Sequence, residues 1–507
     1  MNNIRLHKAD NVVVATSALE PNIALDGLSI KTREAIGSGH KIACKFIGRG
    51  ETVRKYNQVI GQATQDINAG ELVHEHNLEF TAVQLDYHFS NNVTSSGSAT
   101  ASKHFNGYVR DSDVPLSSPY ATRNYIGIVT TVNCSASVAR AIAARMDAEA
   151  RNNFANVDGV VALTHSGGCA IDGRGEALKL LQRTLAGMIK HPNFSHILLL
   201  GLGCETNQSS RLLNEFELQR GKRIEVLGVQ DSGGTAATID KGCDIIRQWL
   251  PLANQCQREE IPLSALTIGL QCGGSDGLSG VTANPALGVA ADLIVKHGGT
   301  VILSETPEIY GAEHLLTARA ASREVGEKLL ERVRWWERYA DRQGVSLDNN
   351  PSPGNRAGGL TTILEKSLGA VAKAGSSPLR AVYEYAESIT ESGFVYMDSP
   401  GYDPVSATGQ IAAGANMVCF TTGRGSVFGS KPAPCLKLAT NSSLWQRLGD
   451  DMDINCGDII TGECSLEEKG QQIFELIIAT ASGQQSKSEL LSMGDNEFVP
   501  WSLGPVL

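Results

Sequence analysis

Four times along this chain an apolar run ends in a turn that carries a cysteine beside glycine or small polar residues: YIGIVTTVNC, VVALTHSGGC, ILLLGLGC and TIGLQCGG. The runs have strand length and are rich in β-branched residues. SVARAIAARMDAEARNNF, ALKLLQRTLAGMIKH, TAATIDKGCDIIRQWL and PALGVAADLIVKHG space their apolar residues by three and four, as helices do. Strands that alternate with helices pair in parallel, because the return to the start of the next strand needs a long crossover. The turns then gather outside the carboxyl ends of a sheet, where such folds bind ligands. Cys134, His165, Cys169, Cys204 and Glu205 are expected there, and Cys272 repeats the theme in a later region.

A thiol beside glycine can approach a ligand closely, as a nucleophile or as a soft metal ligand, since glycine adds no side-chain bulk. The four turn cysteines suggest one site. Cys243, Cys256, Cys419 and Cys435 read instead as small core hydrophobes. No C-x-x-C occurs, which argues against a thiol redox enzyme.

A chain of 507 residues implies about three domains. Residues 1–79 read as a small, mostly β domain, since NVVVAT, LSIKT, HKIACKFI and TVRKYNQVIG alternate strand residues with Gly, Asp and Asn breaks. Residues 80–106 read as a linker, with a stretch rich in Ser, Asn, Thr and Gly. Two α/β regions with largely parallel sheets follow, over 107–255 and 256–507.

The formal net charge of −10, with no basic block, makes nucleic acid and anionic membrane poor partners. MNNIRLHKADNVVVA has no signal-peptide core and no stretch has the length of a membrane span, so a cytoplasmic protein with reduced thiols is expected.

Several further residues are chemical candidates. His165 precedes Cys169 by four residues and titrates near neutrality in its ordinary state. His74 and His76 flank Glu75 in VHEHN, so on a strand both imidazoles would share a face; His40 in SGHK is a lone loop histidine. QCGGSDG, with Ser275 and Asp276, and PSPGNRAGG, with Asn355, can form backbone amide nests for an anion, and Arg356, Lys366 and Arg424 add positive charge. GLGCE lacks the rest of a dinucleotide fingerprint, so no NAD is expected.

The ordered set GHK, VHEHN, GLGCE, QCGGSDGLSGVTANP, NPSPGNRAGG, EKSLG, KAGSS and TTGRG resembles the altronate and galactarate dehydratase family of sugar-acid dehydratases, almost end to end. The resemblance implies an N-terminal SAF-like β domain and two catalytic regions. It implies loss of water from a C6 sugar acid to give a 2-keto-3-deoxy acid, with Fe2+, Mn2+ or another divalent cation, in a homo-oligomer, a dimer by expectation. VHEHN, GLGCETNQ and SETPEIYGAEHLL look like the altronate branch, which is favoured, while REVGEKLLERVRWWERY and DINCGDIITGE look closer to the galactarate branch. Where family members carry a glycine-containing turn, this chain has Ala121 and Thr122 before Arg123 and Asn124.

Under this resemblance Cys134, Cys169, Cys204 and Cys272 form the metal set together with Glu205 and Asp276. His165, His40 and Lys366 are the candidate catalytic groups. His74, His76, Arg356, Arg424, Ser275 and Asn355 bind the substrate. Two other activities remain open: a sulfo-lyase acting on a sulfolactate-like acid, and a non-catalytic sugar-acid sensor.

Overall fold

The computed structural model describes residues 1–90, 103–111 and 116–504. The first 79 residues form two small antiparallel sheets, as the alternation of strand residues and breakers predicts. One comprises Asn3–Ile4, Val12–Ala15, Lys41–Ala43 and Leu72–Val73, and the other Thr52–Lys55, Gln58–Ala63 and Leu78–Glu79. Val12, Ala43, Ile47, Val53, Ile60 and Val73 are buried in one cluster with residues of the third region, such as Leu287 and Leu368. The small domain therefore shares a core with the large one.

Residues 80–89 have no regular structure. Tyr87 donates to Glu313 at 2.8 Å and Ser90 to the Ala320 carbonyl at 2.9 Å, which fixes this segment on the third region. A strand begins at His104, inside the range expected as linker, and its residues to Val109 pair with Glu259–Pro262 and Tyr120–Ala121. The apolar side chain of Phe105, which lies 2 % exposed in the core, supplies the reason. Linker residues 91–102 lie outside the described residues.

The second region is a four-stranded parallel sheet in the order Gly159–Leu163, Tyr125–Thr130, Phe194–Gly201, Ile224–Gly228. The helices Ala136–Asn153 and Thr235–Asn254 cover one face through Ile142, Met146, Ile246 and Leu250. Glu176–Ile189 covers the other and crosses Asp403–Ala412 of the third region. A Cβ at Gly187 would strike the Ala412 carbonyl, so that crossing requires glycine.

The third region is a seven-stranded parallel sheet in the order Leu379–Tyr383, Gly393–Met397, Thr300–Leu303, Thr267–Cys272, Met417–Thr422, Cys435–Ala439, Ile454–Asn455. Its inner strands are buried on both faces, in keeping with continuous apolar runs such as TVIL and MVCFTT. The helix Arg323–Gln343 stops at Gly344, whose φ of 67° is the left-handed cap that the RQG terminus predicts. The architecture is α/β, with the mostly-strand region first and two parallel sheets after it. No helix among the described residues is long and apolar enough to cross a membrane.

Candidate active site

The chain leaves the Thr267–Cys272 strand first toward Thr300–Leu303 on one side and later reaches Met417–Thr422 on the other. A parallel sheet opens a crevice at such a reversal, outside the carboxyl ends of its strands. A cavity of about 530 Å³ lies there, lined by Cys272, Gly273, Gly274, Glu308, Asn350, Asn355, Lys366, Asp403 and Arg424, among others.

Three donor groups meet at its floor. One ligand atom each of Cys272, Glu305 and Glu308 lies within 4.8 Å of the other two, and all three residues are buried. Glu305 lies two residues past the end of the Thr300–Leu303 strand and holds φ at 72°, a left-handed backbone unusual for a residue with a side chain. Neither of its carboxylate oxygens takes a hydrogen bond. Glu308 sits one short turn later, where it accepts from Lys366 at 2.6 Å and from the Asn350 amide at 2.8 Å. Lys366 also donates to the Asn350 side-chain oxygen at 2.9 Å. Lys373 donates to Cys272 Sγ at 2.9 Å and stands 3.5 Å from Glu305.

The electrostatics follow from burial and like charge. Burial, with Glu308 beside it, holds the Glu305 carboxyl well above the usual carboxylate range. Burial pushes the Cys272 thiol up to about 12, although Lys373 acts in the opposite sense. Asp403 is pushed up to about 7 by burial and by Glu308, against the pull of Lys366 and Lys373. For Lys366 burial opposes the charged form, but Glu308 and Cys272 raise its pKa above that of an ordinary lysine. The glycines of QCGG serve this crowding: a Cβ at Gly273 would fall on the Asp403 carboxylate.

A buried carboxylate without hydrogen-bond partners, aimed at a second carboxylate and a thiol, suits a divalent cation that accepts both oxygen and sulfur. Glu305, Glu308 and Cys272 would hold it.

The sequence candidates divide among several places. Cys272, Lys366, Asn355 and Arg424 line the cavity, and Ser275 is buried in the turn beside it. Asp276 is committed elsewhere. Its carboxylate accepts from Ser279 at 2.8 Å, Thr440 at 2.9 Å and Asn441 at 3.0 Å, so it ties the QCGGSDG turn to the next strand end rather than ligating an ion. A Cβ at Gly423 would collide with it. Arg356 is likewise engaged, with Glu75 and with the Pro351 carbonyl at 2.9 Å, and does not line the cavity.

After Val73, which ends a strand, the HEHN residues form a turn, because the backbone of His74 accepts from Asn77 and Leu78. His74 and His76 therefore share no strand face: His76 is exposed, while His74 stacks on His40 with ring centroids 5.3 Å apart and bonds the Arg356 carbonyl at 2.9 Å. This histidine pair lies where the small domain meets the large one and is not part of the cavity wall.

Cys134, Cys169, Cys204, Glu205 and His165 belong to the rim of the other sheet, so the four turn cysteines do not form one set. Three stand on the second region and Cys272 on the third. His165 Nε2 bonds the Thr130 carbonyl at 2.9 Å and Nδ1 accepts from the Gly167 amide at 3.2 Å. Burial holds its pKa down, to about 4. With both nitrogens used and the ring neutral, His165 is a structural histidine rather than a base. Glu205 closes its own loop by accepting from Thr131 at 2.6 Å and the Gly203 amide at 2.7 Å. Ala121 to Asn124 are also structural: Arg123 is buried in an ion pair with Glu489 at 2.6 Å and bonds the Thr480 carbonyl at 2.8 Å, which joins the two regions.

Sequence reasoning missed Glu305, Glu308, Lys373 and Asp403. SETPE, two acids three residues apart after a strand, was a usable signal for the first pair. It also missed Glu365, which is fully buried between Lys41 at 2.8 Å and Lys55 at 2.9 Å, the two lysines coming from the small domain. Glu365 and Lys366 share the helix Ile363–Val371, so this ion triad docks the small domain on the helix that carries a cavity residue.

Three family models cover the chain in order. Residues 1–81 match the altronate/galactarate dehydratase SAF domain, 107–254 the D-galactarate dehydratase/altronate hydrolase second domain, and 263–506 the D-galactarate/altronate dehydratase C-terminal domain. The chain is 36% identical over 488 residues to an altronate dehydratase of Bacillus subtilis (strain 168), with 95% of each chain covered. It is 35% identical over 494 residues to an altronate dehydratase of Escherichia coli (strain K12), covering 96% and 97% of the two chains. It is 36% identical over 493 residues to the galactarate dehydratase (L-threo-forming) of the same strain, covering 95% and 93%.

Proposed function

The chain belongs to the D-galactarate/altronate dehydratase family, and from that premise we propose that it is a hydro-lyase that removes water from a C6 sugar acid, D-altronate being favoured, to give a 2-keto-3-deoxy acid. The observation that carries this reading is the match over 95% of the chain to dehydratases of this class. The cavity at the seven-stranded sheet supplies groups suited to the chemistry.

The reaction takes a weakly acidic proton from the carbon beside a carboxylate and expels hydroxide from the next carbon, so it needs a base, an acid and positive charge for the carboxylate. Asp403, with its pKa raised toward neutrality, is the base: its carboxylate removes the proton on C2. Lys366, whose ammonium is favoured by Glu308, donates a proton to the departing hydroxyl. Arg424 lines the mouth and binds the substrate carboxylate. Asn350 and Asn355 orient the substrate hydroxyls. Glu305, Glu308 and Cys272 would hold a divalent cation, Fe2+ or alternatively Mn2+, which would supply Lewis-acid stabilisation of the negative charge that develops on the substrate. Cytoplasmic residence and assembly as a homodimer complete the proposal, the latter to be measured by light scattering.

The test is an anaerobic assay of the Fe2+-treated chain on D-altronate, galactarate and sulfolactate, with detection of keto acid and sulfite. Keto acid from D-altronate in preference to the others supports the reading. Sulfite release would favour the sulfo-lyase, and saturable binding without turnover would favour a sensor.

A further inference from the structure

The second region carries a soft-ligand rim that the dehydration cavity leaves unused. Its strands Gly159–Leu163, Tyr125–Thr130 and Phe194–Gly201 are adjacent and parallel, so the three loops that follow them leave one edge. Each loop carries one exposed, free cysteine: Cys169, Cys134 and Cys204. The other eight cysteines are buried or half-buried, so these are the three that packing does not explain.

The loops are bound to one another close to the sulfurs. The amide of Asn133, next to Cys134, donates to the Gly167 carbonyl at 3.0 Å, two residues before Cys169. The amide of Asn207 donates to the carbonyl of Gly168, next to Cys169, at 3.0 Å, and its side chain to the Thr131 carbonyl at 2.9 Å. Thr131 donates to Glu205, next to Cys204, at 2.6 Å. Gly168 has φ 99°, and a Cβ there would strike the Thr131 carbonyl; Gly203 has φ 135°, and a Cβ there would strike the Gln230 side chain. Both glycines are needed for this close approach. The Gln230 amide donates to Cys204 Sγ at 3.7 Å, which is the hydrogen bonding that tunes a ligating sulfur.

Thiolates on a single tetrahedral ion stand about 3.8 Å apart, given metal–sulfur bonds of about 2.3 Å. Among the described residues the three sulfurs do not form a set within 4.8 Å, whereas ligands to different irons of a cluster stand further apart than ligands of one ion. We propose that Cys134, Cys169 and Cys204 hold an iron–sulfur cluster of the four-iron type, with one iron left free of protein thiolate. On assembly from equal amounts of ferrous and ferric iron with sulfide, which needs no net oxidation, the three thiols lose three protons to solvent and their thiolates each bind one iron. This site is independent of the divalent-cation set in the cavity, and its failure would leave the dehydration reading untouched.

The test is anaerobic reconstitution of the full chain with equal amounts of ferrous and ferric iron and with sulfide, followed by desalting, iron and acid-labile sulfide assays, visible spectra, and EPR spectra after reduction with dithionite. The wild type should retain about four irons and about four sulfides beyond what iron alone loads, with broad visible charge-transfer absorption. C134S, C169S and C204S should each lose at least about half of the sulfide, and C272S should keep it. In the wild type, peptide mapping after iodoacetamide should show these three thiols protected by reconstitution, a readout that needs no variant to fold. Retention of full sulfide by the triple serine variant, iron uptake without sulfide, or equal alkylation before and after loading would each overturn the proposal.

Discussion

Replacing Glu365 with glutamine tests how the small domain is held. Lys41, Lys55 and Glu365 are each at most 1 % exposed at the side chain. Burial disfavours the Glu365 carboxylate, but the two lysines hold its pKa at about 2 against an ordinary 4.5, a stabilisation of about 3 kcal/mol. Burial lowers Lys41 from 10.5 to about 8 despite Glu365, which costs about as much in that ammonium. Burial also opposes the Lys55 ammonium, but Glu365 and Tyr56 hold its pKa above the ordinary lysine range, so the carboxylate is what keeps both buried lysines charged. Glu365→Gln keeps the volume but leaves two ammonium groups buried without a counter-charge, at a cost of about 3 to 5 kcal/mol. Hydrogen exchange of the Val12–Ala15 and Lys41–Ala43 peptides should accelerate by about a hundred- to several-thousand-fold relative to wild type. The pH dependence has a definite sign. A lysine whose folded pKa lies below its unfolded value binds fewer protons when folded, so stability rises with pH from the folded toward the unfolded pKa. In wild type that window runs from about 8 to 10.5. Without Glu365 the Lys41 pKa falls further, so the variant's deficit should narrow between about pH 6 and about pH 9. Adding Lys41→Met to the variant should restore part of the loss. An acceleration below about fivefold, roughly 1 kcal/mol, or a deficit that widens with pH, would refute this account.

Asp403→Asn should lower kcat by about a hundred- to ten-thousand-fold with the fold intact by circular dichroism; near-wild-type turnover would remove Asp403 as the base. Glu305→Gln should weaken binding of Fe2+ or Mn2+ by about tenfold or more, read by titration of the metal-stripped chain. An unchanged affinity would place the cation elsewhere. His165→Phe should cost about 1 to 3 kcal/mol in urea unfolding, because the Thr130 carbonyl and the Gly167 amide lose their partner, and should leave the pH profile of kcat/KM unmoved. A shifted profile would return His165 to the chemistry.

Hydrophobic patterning made the architecture legible: the alternating runs gave two parallel sheets, and the breaker-rich first 79 residues gave a small β domain. Both depend on side-chain periodicity, which is local. The placement of cysteines at strand ends was legible for the same reason, and Lys366, Asn355 and Arg424 were legible as cavity residues because each is a polar or basic group in or beside a glycine-containing motif. Which strand ends share a sheet is not local. Cys272 looked like the fourth member of a set because its turn resembles the other three, but it lies on another sheet and faces Glu305, Glu308 and Lys373.

The sequence by itself determined the element types, the family and the need for close turns at glycine, because these follow from residue types at short spacing. Only the tertiary structure decided which polar groups are satisfied. His165, Glu205, Asp276 and Arg356 carry the chemistry of catalytic or ligating residues but are consumed by hydrogen bonds or ion pairs. Glu305 gave no sign in its spacing that its carboxylate would be left without a hydrogen bond. Reactivity belongs to a group's surroundings, its burial and its partners, and those are set by residues far away in the chain.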